Sequence, residues 1–162
     1  MRRSLLIVSI GLVASAGVAQ PETDPLLRLA STEPLELARA VDRLGDQGVL
    51  LRLEDEAPVE VRAVAVLAAP YMHAPENALP ALVVIAAGRD PDLSARAAHS
   101  VLAIARGLDP QGIDARECDR AALGPARAGL AALARDVTAR PDIVRAAELS
   151  LAALVELGVP PA

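Results

Sequence analysis

At 162 residues the chain is long enough for one domain with a sizeable core and too short for two ordinary ones. Hydrophobic residues make up 53%, charged residues 23% and aromatic residues 1%, and the net charge is −5, with every cation an arginine. Alanine and leucine favour helices, and of the strong strand formers only valine is abundant, so all-β and collagen-like chains are excluded, and disorder is not expected at this apolar content. A nucleic-acid-binding surface is not expected, because phosphate binding draws on excess positive charge and base stacking on aromatic rings that this chain lacks.

The amino terminus reads as an address. Met1-Arg2-Arg3-Ser4 is basic, Leu5 to Val13 is apolar, and Ala14 to Ala19 is a run of small residues, the layout of a secretory signal peptide cut after Ala19 or, second, after Ala16. Leu5 to Ala19 falls short of the roughly 20 residues that a spanning helix needs, so no stable membrane span is expected after cleavage. The expected location is the periplasm or the extracellular medium. Removing residues 1–19 takes away Arg2 and Arg3 and leaves 14 arginines against 21 acids, a net −7. Cys118 is the single thiol and cannot form an internal disulfide, so packing alone must hold the core.

Residues 20–33 form a lead. Within it Asp24-Pro25 has the grammar of a helix start, with Leu26, Leu27 and Leu29 in a short apolar turn or helix. Thr32-Glu33-Pro34 repeats that grammar. The helix that follows places Leu37, Ala40, Val41 and Leu44 on one face and is expected to end at Gly45. A brief segment, Val49 to Leu53, precedes the acidic loop Glu54-Asp55-Glu56. Val59 to Ala69 and Ala78 to Ala87 are apolar around most of their circumference, as helices inside a stack are. Asn77 as N-cap would put Pro80 at the third helical position, where its missing N–H costs nothing. Gly88-Arg89-Asp90-Pro91 closes that helix and opens the next, which is expected to run to Arg106 and stop at Gly107. Residues 107–118 form the longest loop. Gly124-Pro125 starts a further helix, and Arg140-Pro141-Asp142 opens the last, with Ile143, Ala147, Leu151 and Leu154 inward and Arg145, Glu148 and Glu156 outward. Gly158 stands where a left-handed cap belongs, and Pro160-Pro161 forbids continuation. Seven or eight short helices are expected.

A small or β-branched residue, Arg, then Ala and an apolar run recurs as Ala38-Arg39-Ala40, Val61-Arg62-Ala63, Ala95-Arg96-Ala97 and Val144-Arg145-Ala146. With Leu79-Pro80-Ala81-Leu82 and Asp90-Pro91-Asp92 added, residues 34–157 resemble a divergent HEAT-repeat protein of the phycobilisome-lyase type. The resemblance implies an all-α fold, a short α-solenoid of about three to four antiparallel helix pairs spanning 34–158 with a tail at 159–162, and a protein-binding face. For Arg62, Arg96 and Arg145 it implies a ladder to carboxylates or carbonyls of neighbouring repeats, with ligand binding as the second role. The bilin-lyase activity of some relatives is not implied, since no catalytic residues match. On packing grounds, Ala63, Ala97 and Ala146 let backbones approach, and Leu67, Leu82, Val101 and Leu151 fill the layers.

Candidates for chemistry are few. His73 follows Tyr71-Met72 at a helix end, where an imidazole caps or lies half exposed, and His99 neighbours Ser100, an adjacency that does not bring a nucleophile and a base together on a helix. Asp109, Asp114 and Asp119 recur around Gly112 without the alternation and closing Glu of a calcium loop, so a solvated acidic loop with no metal is expected. No phosphate-cradling glycine loop or nucleophile elbow occurs, and no cofactor is expected. The expectation is an exported, non-catalytic scaffold for an unidentified protein or peptide. The alternative is an enzyme or enzyme accessory using the 107–120 loop and Cys118.

Overall fold

The computed structural model describes residues 24–29, 32–108 and 120–161, and these residues form an all-α domain without a strand. The signal segment, Cys118, and Asp109, Asp114 and Asp119 with most of their loop lie outside the described residues. The α-helices are α1 (Pro34–Leu53), α2 (Val59–Ala68), α3 (Leu79–Ala86), α4 (Pro91–Gly107), α5 (Gly124–Leu133) and α6 (Pro141–Glu156). Short 3-10 turns at Ala69–Tyr71, Pro75–Ala78 and Arg120–Leu123 supplement them. Six helices replace the expected seven or eight among the described residues, partly because Pro25–Arg28 is a hydrogen-bonded turn and no helix.

Proline opens α1, α4 and α6 at the first helical position, where a backbone donor would be unpaired anyway. At α4 the Asp90 carboxylate caps the helix by accepting from the N–H groups of Asp92 and Leu93, both at 3.0 Å. The expected end of α1 at Gly45 is half right. Gly45 has φ 69° and ψ 162°, which breaks the helical path, but the chain turns helical again at once and continues to Leu53. Leu37, Ala40 and Val41 before the break and Val49 and Leu53 after it are all buried, so both halves of the kinked helix face the same core.

Asn77 is not the N-cap of α3. It is exposed within the 3-10 turn, and Ala78, already in helical conformation, occupies the cap position. Because that turn leads straight into α3, Leu79 donates to the Glu76 carbonyl and needs no capping side chain, and Pro80 falls at the second helical position. At the carboxyl end of α6, Gly158 adopts φ 74°. Its N–H reaches the Val155 carbonyl at 3.0 Å and that of Val159 reaches the Leu154 carbonyl at 3.1 Å, the paired bonds of a Schellman cap, with Val159 and Leu154 both buried.

Helices adjacent in the chain pack in pairs, α1 on α2, α3 on α4 and α5 on α6, and the most extensive contact of all joins two of these pairs, α4 on α6. Corresponding members of successive pairs also touch, α2 to α4 and α4 to α6 on one side, α1 to α3 and α3 to α5 on the other. One contiguous core results. Ala97 and Ala146 are buried at these approaches, and Leu82 and Val101 are enclosed, whereas Ala63, Leu67 and Leu151 are only partly buried against the core. Gly129 of α5 permits the closest approach, since a Cβ there would lie 2.5 Å from Cγ1 of Val83 in α3. Two buried serines tie α4 to its neighbours. Ser100 Oγ donates to the Val66 carbonyl of α2 at 2.8 Å, and Ser94 Oγ lies within bonding distance of the Ile85 and Gly88 carbonyls at the end of α3, at 3.2 and 3.0 Å. Both use acceptors that a helix leaves available at or near its end.

Candidate functional site

Of the four repeat-motif arginines, the three expected to form the ladder have different fates. Arg62 lies in the first turns of α2 and folds back on the α1–α2 loop: Nη1 donates to Asp55 Oδ1 at 2.8 Å, and Nη2 to the carbonyls of Asp55 and Ala57 at 3.0 and 3.3 Å. Its side chain is 18% exposed, and its Nε is buried without a partner among the described residues. Arg145 pairs with Glu148 three residues on, at 3.1 Å, in an exposed arrangement of small energetic consequence. Arg96 is exposed and makes no hydrogen bond or ion pair among the described residues. The expected ladder between repeats is therefore not what these three form. Arg62 is taken up by its own loop and Arg145 by its own helix.

Other arginines, which the repeat motif does not mark, do connect distant segments. Arg52 holds Asp24 through Nε at 2.9 and 3.1 Å. Arg127 donates to the Val159 carbonyl. Arg140 forks onto Asp142 at 2.9 and 3.1 Å and reaches the Pro91 carbonyl at 3.4 Å, joining the start of α6 to the start of α4. Slight burial pushes the Asp142 carboxyl up, and the hydrogen bond and charge of Arg140, with two backbone N–H groups, outweigh it and hold the group below its ordinary value.

Arg96 belongs to a stripe. The exposed residues of α4 beyond its first turn are Arg96, His99, Ala103 and Arg106, followed by the terminal Gly107, and spacings of three, four and three residues put those four side chains on one face. Arg106, like Arg96, has no ion pair among the described residues. His99 Nδ1 lies 2.7 Å from the Ala95 carbonyl, which ties the ring to its own helix. Ser100 points the other way, into the core, so the two adjacent side chains form no catalytic pair.

His73 is exposed, with Nδ1 3.3 Å from Asp46 and Nε2 3.7 Å from Asp42. The structural weight falls on Asp46. Its carboxylate accepts from the N–H groups of His73 at 3.0 Å and Ala74 at 2.8 Å, just ahead of the Pro75–Ala78 turn, and so pins the α2–α3 connection to α1. Partial burial pushes the Asp46 carboxyl up, but the two N–H bonds, then the His73 imidazole, outweigh it and hold the group below the ordinary carboxylate value. With the folded value depressed, this contribution to stability is complete at neutral pH and is lost as pH falls through the carboxylate range. Asp46→Ala is expected to lower stability by about 1 kcal/mol at pH 7, and the gap to wild type should shrink in urea titrations repeated below about pH 4.

No group of three or more His, Cys, Asp or Glu side chains among the described residues is arranged to hold a metal ion. No described helix is long and apolar enough to cross a membrane. Comparison with family profiles, curated proteins and solved structures finds no match to this chain. Its function must be read from its own surface. A cleft of about 270 Å³ between the α3–α4 and α5–α6 loops is flanked by Arg89, Asp136, Thr138 and Arg140. There Asp136 accepts from the Thr138 hydroxyl and N–H at 2.6 and 2.8 Å, and those bonds, the hydroxyl's first, keep its carboxyl low. Three of the flanking side chains are thus committed to local structure, Asp136 and Thr138 to each other and Arg140 to Asp142.

Proposed function

We propose that this chain is a non-catalytic, HEAT-like α-solenoid of three helix pairs that binds an acidic segment of a protein partner across the outward face of α4, and that residues 1–19 direct its export. The observation that carries the reading is the Arg96, His99, Arg106 stripe. It sits on the helix that packs against both α2 and α6, and its two arginines are uncommitted in a chain whose net charge is negative. Arginine is the residue best suited to such a contact, since its guanidinium offers five donors in a planar fork that matches carboxylates. The pairwise packing of successive helices supports the solenoid, in which each pair covers the apolar face of the next. The repeat motif supports the family resemblance.

The test is crosslinking of the mature protein in its native envelope fraction, comparing wild type with the R96E/R106E double variant and with R135E, a reversal at an exposed arginine off this face. A crosslinked species that survives R135E, disappears in R96E/R106E and weakens with added salt is expected. Equal yield from the wild type and the α4 double variant overturns the assignment of the binding face.

A further inference from the structure

Arg28, Leu29, Glu36, Arg39 and Arg43 line a cleft of about 230 Å³ between the amino-terminal turn and the first half of α1. Its walls are held in place from both sides of Arg28. Asp24 is gripped by Arg52 Nε at 2.9 and 3.1 Å, and Arg52 is itself fixed by donating Nη1 to the Gly48 carbonyl at 2.8 Å. Leu26 is fully buried, and Leu29 packs partly buried against the core. The turn therefore lies along α1 on a fixed course, with Arg28 set beside Arg39 and Arg43, which stand four residues apart on one helix face.

None of the three guanidinium groups makes a hydrogen bond or ion pair among the described residues. Like charges at that helical spacing repel, and a third placed against them adds to the repulsion, so the cluster is electrostatically unfavourable when empty. Among the described lining residues, three guanidinium charges stand against one carboxylate, Glu36, a surplus of two. A dianion balances it. The donors narrow the choice further: three planar forks lining one cleft offer more donors than the two oxygens of a carboxylate can accept, whereas a phosphate group presents three or more oxygens in a tetrahedral array. The volume is below that of ordinary small-molecule sites, about 300 to 1,000 Å³, and suits a small anion or the charged end of a larger ligand.

We propose that the Arg28, Arg39 and Arg43 cleft is a binding site for a phosphate group, either the free ion or a phosphate monoester. This site lies on α1 and is separate from the α4 face. The experiment titrates the full chain with inorganic phosphate, O-phosphoserine and succinate by calorimetry, with helical circular dichroism confirming that each variant is folded. Saturable binding of phosphate or phosphoserine is expected, with succinate at least about tenfold weaker, and whichever of the first two binds tighter identifies the source as free ion or ester. R39Q and R43Q are each expected to weaken binding about tenfold or more, D24N to weaken it severalfold by releasing the turn that carries Arg28, and R135Q to leave it unchanged. Absence of saturable binding by both phosphate compounds, succinate binding as tightly as phosphate, or equal weakening by R135Q overturns the proposal.

Discussion

Leu82→Ala is expected to destabilise the protein by about 2 to 5 kcal/mol and to lower the thermal midpoint by roughly 5 to 15 °C. Leu82 is fully enclosed, on the short helix α3 that packs against both α4 and α5. Its removal leaves a void that neighbours on two helices cannot both fill, because α3 is already pressed against α5 where Val83 faces Gly129. Val84, the adjacent residue on the same helix, is 67% exposed. Val84→Ala should change stability by less than about 0.5 kcal/mol. Thermal melts followed by circular dichroism check both. Equal, small shifts for the two variants would place Leu82 at the periphery and refute the central position of α3.

Gly45→Val is expected to cost about 1 to 3 kcal/mol although nothing lies within 4 Å of the position a Cβ would take. The penalty is purely conformational. A β-branched residue at φ 69° and ψ 162° is strained whatever the free space, and relieving the strain means straightening the kink in α1. Straightening would redirect the second half of α1, which carries Arg52 and with it the grip on Asp24. Urea denaturation should therefore show a lower midpoint for Gly45→Val. A Gly45→Ala variant should be affected less.

Features set within one helical turn were legible in the sequence. The prolines that open α1, α4 and α6, the Asp90 cap and the left-handed Gly158 all follow from which backbone groups a helix end leaves unpaired, a rule that operates over three or four residues. The inward and outward residues of α6 also follow from periodicity, with Ile143, Ala147 and Leu154 buried and Arg145, Glu148 and Glu156 exposed. Contacts between residues far apart were not legible. Asp24 with Arg52, Asp46 with Ala74, and Ser100 with Val66 join positions 28, 28 and 34 residues apart, and no local pattern marks either partner. Gly45 reads as a stop because a helix-breaking glycine is the same in sequence whether the chain leaves or merely bends.

The candidate sites divide along the same line. Arg62, Arg96 and Arg145 share one motif, yet each arginine's surroundings depend on which acid lies within reach. The α4 stripe carried a usable signal, since Arg96, His99 and Arg106 keep one helical face in sequence alone. The cleft at Arg28 carried none, because it depends on a turn folding back along α1 under the pull of Arg52.

Tyr71 is the single aromatic side chain, and it stands partly exposed at the end of the 3-10 turn after α2, two residues before the Asp46 contact. Its emission is thus a built-in optical probe of one junction in the middle of the chain, while far-ultraviolet dichroism averages over every helix. If the two signals fade together on heating, the helix pairs melt as one cooperative unit; if the tyrosine signal moves first or last, they fray from one end.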